Sequence, residues 1–136
     1  TLLYIVAASG KCVEVLSAEV TNASNETNEQ CECTLQKISS LGTPTATTLT
    51  PTKAEQGDQA AASVVKGNVT ASEPTYTSAP NIEVGRKGFA SLAGWTYAPV
   101  PEERLIIAPS DSWGIRLLNS PTSLTIDYVL RFREIG

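Results

Sequence analysis

The chain ends in a segment of regular alternation, and this pattern restricts its fold more than any other feature of the sequence. From residue 123 to residue 135, apolar side chains occupy alternate positions over most of the segment. Successive side chains of a β-strand point to opposite faces of a sheet, so the pattern predicts one long strand with a single buried face. The buried face carries Leu124, Ile126, Tyr128, Leu130 and Phe132, and the opposite face carries Thr125, Asp127, Val129, Arg131 and Arg133.

Two further strand signals lie near the start of the chain. The segment 11–20 is rich in β-branched residues, and the segment 30–38 alternates Cys and Leu with polar side chains. The intervening residues 21–29 are rich in Asn, Thr and Glu, which is typical of a surface loop. Two strand signals joined by a polar loop predict a β-hairpin.

The rest of the chain shows short strands separated by turns. Residues 39–80 are dominated by Thr, Ala, Pro, Gly and Ser, which predicts long loops between short strands. Strand signals follow at 94–99, 105–109 and 114–119, and the continuous apolar run of 105–109 predicts burial on both faces. The two glycines and two cations of 85–88 predict a hairpin turn.

Together these signals predict an all-β fold, an antiparallel sandwich or barrel. No window shows a sustained helical period, and short strands with frequent turns are typical of both architectures. A chain of 136 residues with 41% hydrophobic residues can bury a core, so we expect one domain over residues 1–136. The apolar residues 2–6 predict that segment 1–10 is an N-terminal arm or an edge strand.

The composition excludes several classes of function. The chain has no histidine, which excludes Ser-His-Asp and Cys-His catalysis and metal sites with histidine ligands. Its formal net charge is −4, so it lacks the basic surface that nucleic-acid-binding proteins need. No apolar run reaches the roughly 18 residues of a membrane-spanning helix, and no membrane association is predicted.

The three cysteines, Cys12, Cys31 and Cys33, predict neither a metal site nor a complete disulfide framework. Their number is odd, and a structural zinc site needs a fourth ligand. Cys31 and Cys33 share one face of a strand, where adjacent side chains are poorly placed to bridge. We interpret the cysteines as small buried hydrophobic residues, and a bridge from Cys12 stays open if its segment pairs with the other one. No metal or cofactor is predicted.

The acidic residues do not have the setting of a catalytic site. Glu102 and Glu103 are neighbours in a proline-rich turn, whereas glycosidases need two carboxylates across a cleft. Asp127 shares a strand face with Arg131, which favours an ion pair, and Asp111 has no stronger case. We therefore predict no catalytic residue and a protein that is not an enzyme.

A set of apolar and aromatic residues forms the candidate interaction surface. Aromatic side chains near turns serve as interface anchors, as carbohydrate platforms or as core residues. The N-terminal apolar run can pair with a neighbouring chain if it forms an arm or an edge strand. The predicted interface residues are Leu2, Leu3, Tyr4, Ile5, Trp95, Tyr97 and Trp113.

The C-terminal third of the chain resembles the ending of a known protein family. It contains Gly-Trp-Thr-Tyr-Ala-Pro-Val-Pro-Glu-Glu-Arg at 94–104, an apolar run ending in Ala-Pro at 105–109, a glycine-led strand at 114–117 and the strand 126–132. In this order they resemble the small jelly-roll capsid decoration (cement) proteins of tailed bacteriophages. The front half is similar in style, with a Val-Glu-Val-Leu strand and a loop rich in Asn, Thr and Glu.

The resemblance implies a single antiparallel β-sandwich of jelly-roll type, with one jelly-roll domain over residues 1–136. It further implies a virion structural protein that binds the major capsid protein on the outer capsid surface. It also implies a homo-oligomer, a dimer or a trimer, and it transfers no catalytic or binding residue. One alternative is a carbohydrate- or receptor-binding β-sandwich module. A second is the main coat protein of a small jelly-roll virus, which the lack of a basic genome-binding arm disfavours. An enzyme that acts through carboxylates alone is a third, since such chemistry needs no histidine.

Overall fold

The structure is a computed structural model that describes residues 1–24, 29–78, 82–121 and 124–136. Its regular structure is β-strand apart from 3-10 geometry such as the short helix Pro101–Glu103. All paired strands are antiparallel, and they form two sheets. The predicted all-β class is therefore confirmed.

The larger sheet has seven strands. They are β1 (Leu3–Val6), β3 (Gln30–Ser40), β4 (Thr45–Leu49), β5 (Val64–Ala71), β6 (Thr75–Tyr76), β7 (Glu83–Ala90) and β10 (Ser112–Leu117). Their order is β4-β5-β1-β10-β3-β6, and β7 also pairs with β3. Three of these strands, β4 to β6, lie in the stretch 39–80, for which the sequence predicts short strands between loops.

The smaller sheet has four strands, and its centre is β2. The strands are β2 (Cys12–Asn22), β8 (Trp95–Tyr97), β9 (Ile106–Ile107) and β11 (Ile126–Ile135). Strand β11 runs along one side of β2, and β8 and β9 pair with β2 in turn. This arrangement leaves β11 as the end strand of the sheet.

The two sheets contribute to one hydrophobic core. Ile5, Leu35 and Ile115 of the larger sheet belong to the same buried cluster as Val13 and Val15 of the smaller sheet. Each of these side chains is 1% exposed or less. Burying large aliphatic side chains from two sheets supplies the main driving force for bringing the sheets together.

The long C-terminal strand shows the alternation that the sequence predicts. In β11 the even-numbered residues are half-buried and pack against the core, while the odd-numbered residues are exposed. Leu124, just before the strand, packs on the same core. Residue 123, the first residue of the predicted strand, lies outside the described residues.

The predicted hairpin between segments 11–20 and 30–38 is wrong. Both segments form strands, but β2 lies in the smaller sheet and β3 in the larger one. Strand β2 pairs with β11, and β3 pairs with β10. Alternation shows only that one face of a strand is buried, so it does not identify the strand alongside. Residues 25–28 of the connecting loop lie outside the described residues.

The predicted turn at 85–88 is also wrong, since these residues lie within the continuous strand β7. Gly85 and Arg86 lie opposite the single residue Thr34 of β3, which is the geometry of a β-bulge. Gly85 has φ +66°, a left-handed conformation that glycine adopts without strain. The glycine therefore bends a strand and does not reverse the chain.

Two edge and burial predictions are corrected as well. Strand β1 lies between β5 and β10, in the interior of the larger sheet, so residues 3–6 are neither a free arm nor an edge strand. The apolar run 105–109 contains only the two-residue strand β9, in which Ile106 is 52% exposed and Ile107 is fully buried. The run is therefore buried on one face, because the outer face of the sheet has no covering layer at Ile106.

Candidate functional site

Most of the residues predicted as interface anchors lie in the interior of the chain. Leu3, Tyr4, Ile5, Trp95 and Trp113 are buried, and Leu2 and Tyr97 are half-buried. A side chain enclosed by its own chain has no area left for a second molecule. The structure thus corrects the interface assignment for the five buried residues, which serve as packing inside the fold.

Trp95 and Tyr97 hold the edge of the smaller sheet against the bulge of β7. The indole Nε1 of Trp95 donates a 2.7 Å hydrogen bond to the carbonyl oxygen of Gly85. The Tyr97 hydroxyl donates to the carbonyl oxygen of Glu103 at 3.3 Å, and burial raises the pKa of Tyr97. Because the polar ends of both rings are used internally, these residues are not an open aromatic platform.

The three cysteines are free thiols in two different sheets. Cys31 and Cys33 are buried on the inner face of β3, as predicted, and Cys12 is half-buried on β2. Burial raises the pKa of Cys33 to about 12, which keeps its thiol neutral near pH 7. A neutral, enclosed thiol is neither a nucleophile nor a metal ligand.

The acidic residues considered from the sequence lie on the surface in separate elements, apart from the adjacent pair Glu102 and Glu103. Glu102 and Glu103 are exposed in the short 3-10 helix, and the Asp111 carboxylate forms a 2.6 Å ion pair with Lys37. Within the described ranges, no group of three or more Cys, Asp or Glu side chains is placed to hold a metal ion. Glu102 and Glu103 are therefore exposed to solvent, and Asp111 forms a surface ion pair.

The outer face of the smaller sheet carries a buried carboxylate that the sequence analysis did not single out. Glu14 of β2 is only 4% exposed, because Arg104 and Arg133 cover it. Arg104 Nη1 lies 3.3 Å from one carboxylate oxygen, and Arg133 Nε contacts the other. Burial raises the pKa of Glu14, but the hydrogen bonds from the two arginines outweigh it and hold the pKa below its usual value.

Next to this cluster, the exposed residues of β11 form a mixed surface. Arg131 Nη1 donates to Glu19 at 2.6 Å and to the Ser17 hydroxyl at 3.3 Å. Val129, on the same face, is an apolar residue that is 41% exposed. Exposed apolar residues among charged ones are a common composition of a protein contact surface. The only sequence signal for this surface was the presence of valine on the predicted polar face of β11.

A groove of about 790 Å³ lies beside the C-terminal half of β11. It is lined by residues 129–134 of the strand, by Lys11 and Leu16 at the start of the chain, and by residues 51–54 and 58–61 of the loop after β4. At its end the Glu134 carboxylate accepts hydrogen bonds from the backbone amides of Ala62 (3.0 Å) and Ser63 (2.6 Å). Burial raises the pKa of Glu134, but hydrogen bonds from the Ser63 side chain and from the two backbone amides outweigh burial and lower the pKa. The loop is thereby tied to the C-terminal end of the strand.

Where β3, β6 and β10 meet, side chains of the larger sheet cover its outer face. The Arg116 guanidinium lies 4.8 Å from the centre of the Tyr76 ring, and its Nη1 donates to Gln36 at 3.2 Å. The amide of Gln36 donates in turn to the carbonyl oxygen of Thr77 at 2.8 Å. Burial raises the pKa of Tyr76 to about 12. The polar groups of this network are therefore satisfied within the chain.

The comparisons give no relative from which a function could be transferred. No protein-family model, no curated protein and no solved structure matches the chain. In the part of the chain that the structure describes, no helix has the length and hydropathy needed to span a membrane.

Proposed function

We propose that the chain is a non-enzymatic virion structural protein that binds the outer surface of a capsid as a homo-oligomer. The observation that carries the proposal is the pairing of β2 with β11 and of β3 with β10. Because β2 and β3 lie in different sheets, these two pairs form one antiparallel ribbon that crosses from sheet to sheet. A ribbon folded in this way is the start of a jelly roll, the architecture of many capsid proteins.

The middle of the chain elaborates this plan. Strand β4 pairs with β5 and β5 with β1, which widens the larger sheet, while β7 joins it at β3. Strands β8 and β9 complete the smaller sheet at β2. We propose a jelly-roll sandwich in which β2, β3, β10 and β11 form the usual ribbon. Strands β6 to β9 each attach to this ribbon singly, and β4 and β5 extend the larger sheet through β1.

The available surface favours binding over chemistry. Two carboxylates on the outer face of the smaller sheet are paired with arginines, Glu14 with Arg133 and Glu19 with Arg131. Such a face offers shape and paired charge to a large partner, which is what attachment to an assembled shell requires. The proposed partner is the major capsid protein, and the proposed location is the outer surface of the virion.

The test is binding to shells assembled from the major capsid protein encoded in the same genome. After mixing at rising ratios, shells are pelleted and the bound protein is measured, and we expect binding that saturates at a fixed ratio. An unrelated icosahedral shell of similar size is the control and is expected to stay bare. The proposal fails if the protein remains in the supernatant at every ratio. If the protein binds, cryo-electron microscopy of saturated shells shows where it lies on the shell.

The alternative functions are separated by simple measurements. A carbohydrate platform would need the rings of Trp95 and Trp113 at the surface, and both are buried. A glycan array is therefore expected to show no saturable binding. The protein alone is expected to form no shells by electron microscopy, whereas a main coat protein would assemble without help.

A further inference from the structure

Strand β11 is the longest exposed edge of the smaller sheet. It has 10 residues and pairs with β2 on one side, and no described residue pairs with its other side. An unpaired strand edge presents free backbone donors and acceptors and is a ready template for another strand.

The pairing of β11 with β2 determines which residues of β11 direct their N–H and C=O groups to the free edge. The amide of Ala23 donates to the carbonyl oxygen of Thr125 at 2.8 Å, so the peptide groups of Thr125 point toward β2. In an antiparallel pair these directions alternate along the strand. The odd-numbered residues of β11 therefore bond to β2, and the even-numbered residues direct their N–H and C=O groups to the free edge.

We propose that a second copy of this chain pairs antiparallel with β11 about a two-fold axis at Val129, so that the two smaller sheets join into one. In this register Val129 faces its own copy, and Asp127 faces the partner's Arg131. On the other face Tyr128 lies opposite the partner's Leu130, and Ile126 lies opposite the partner's Phe132. Opposite charges meet on the exposed face and apolar side chains meet on the inner face.

The charges of β11 favour this register over its neighbours. Moving the axis to Tyr128 sets Asp127 opposite Val129 and Arg131 opposite Thr125, so the pair of opposite charges is lost. Moving the axis to Arg131 sets that arginine against its own copy, and moving it to Asp127 does the same with two carboxylates, which is repulsive. Moving it to Leu130 sets Ile126 opposite Glu134, whose carboxylate is already held by the amides of Ala62 and Ser63. The axis at Val129 keeps the pair of opposite charges and avoids all three conflicts.

Residues 129–132 of the pairing line the groove of about 790 Å³ that separates β11 from the loop 51–61. The loop therefore does not lie directly against this part of the strand. The contact of the loop with Glu134 lies beyond the residues 126–132 that form the pairing. Val129, which is 41% exposed in the single chain, becomes covered at the centre of the contact.

The inference deepens the homo-oligomer part of the proposed function, committing it to a dimer, and it rests on the edge of β11 and not on capsid binding. It is tested first by sedimentation velocity on the purified full chain without any capsid. We compare the unchanged protein with Val129→Lys and Ile135→Lys, two exposed residues on the same face of the same strand. Both substitutions add one positive charge, but only the first lies within the pairing.

We expect the unchanged protein to sediment as a dimer. Val129→Lys is expected to raise the dissociation constant at least about tenfold, because two lysines then face each other across the axis. Ile135→Lys is expected to change it less than about twofold, as a surface charge outside the contact. A monomer at all concentrations, or equal effects of the two substitutions, would overturn the proposal.

A disulfide cross-link tests the register itself. In a Cys12→Ser background, Val129→Cys brings two thiols together at a non-hydrogen-bonded pair, where the Cα atoms lie about 4.5 Å apart and a disulfide can form. We expect rapid formation of a covalent dimer with Val129→Cys and slow formation with Ile135→Cys. Equal rates would contradict the register. If the chain is monomeric while Val129→Lys abolishes capsid binding, the edge takes a capsid segment. The dimer is then ruled out, while the capsid-binding part of the proposed function stands.

Discussion

Gly67 of β5 lies at a close contact between the two sheets. A Cβ atom at this position would lie 2.3 Å from the Tyr128 hydroxyl and 2.9 Å from a methyl carbon of Leu49. We expect Gly67→Ala to lower the free energy of unfolding by about 1–3 kcal/mol, as overpacked cores usually do. Urea denaturation of the variant and the unchanged protein measures the difference.

Two further variants separate this contact from the general effect of replacing glycine. Gly57→Ala makes the same substitution in an exposed loop with no atom within 4 Å, and we expect a change within about 0.5 kcal/mol. Tyr128→Phe removes the clashing oxygen, so it is expected to recover part of the loss in the double variant. A loss at Gly67 no larger than that at Gly57 would contradict the close contact between the sheets.

Glu14 is expected to make the stability of the fold depend on acidic pH. Its pKa lies below the usual 4.5 because the hydrogen bonds from Arg133 and Arg104 outweigh the opposing effect of burial. The unfolded chain therefore takes up this proton before the folded one does as the pH falls. The stabilisation is present in full above the unfolded pKa and is lost as the pH falls through the lower, folded value.

The measurement is the free energy of unfolding between pH 7 and about pH 3. We expect Glu14→Gln to be less stable than the unchanged protein at pH 7, and the difference to shrink toward the acidic end. Glu102→Gln, which removes an exposed carboxylate of the 3-10 helix, is expected to leave the dependence unchanged. A constant difference between Glu14→Gln and the unchanged protein across this range would show that the arginines do not act on the carboxylate charge.

Among the elements, β7 contains a glycine whose sequence context is compatible with either a turn or a bulge within a strand. Gly85 combines φ +66° with close neighbours, since an added Cβ would lie 3.0 Å from the Tyr97 ring and 3.2 Å from the Trp95 ring. We expect Gly85→Ala to lower the free energy of unfolding by about 1–3 kcal/mol and to shift the near-ultraviolet circular dichroism of Trp95, which donates to the Gly85 carbonyl oxygen.

Two other glycines serve as controls for the bulge. Gly88 of the same strand has ordinary space, with its nearest contact at 3.8 Å, and Gly10 has φ +80° but no atom within 4 Å. Gly88→Ala is therefore expected to be mild, and Gly10→Ala to report backbone strain alone. If Gly85→Ala matches Gly10→Ala and leaves the tryptophan signal unchanged, the rings do not press on the bulge.

The elements also show what local pattern can and cannot predict. The alternation of β11 depends on one buried face, and the structure places the same residues inward and outward. The partner of β2 depends on a segment more than 100 residues away in the chain, and no local pattern encodes that pairing. The hairpin prediction was wrong for this reason. The cluster around Glu14 was not predicted either, because the two arginines that cover Glu14 come from distant segments of the chain.

At the scale of the whole molecule, the shared core makes the two sheets depend on each other. Trp95 of the smaller sheet and Trp113 of the larger one belong to the same buried cluster. The sequence offered both burial and surface roles for them, because an aromatic residue next to a turn has the same local pattern in either case. Packing between sheets decides the matter, and we expect the sheets to unfold together as one cooperative unit.

The cysteines report this cooperativity through their reactivity. Cys33 is fully buried with its pKa raised to about 12, and Cys31 is 3% exposed, whereas Cys12 is half-buried at the end of β2. With a thiol reagent at neutral pH, we expect Cys12 to react first, and Cys31 and Cys33 to react together at a rate set by unfolding. Cys12→Ser is expected to remove the fast phase alone.

Raising urea in small steps below the transition separates global from local opening. If the sheets form one unit, the slow labelling rates of Cys31 and Cys33 rise with the same urea dependence as the unfolding equilibrium, because exposing β3 exposes the whole core. If the larger sheet opened by itself, both thiols would react faster than unfolding allows and with a weaker dependence on urea. That result would show that the ribbon joining β2 and β3 links two independent bodies.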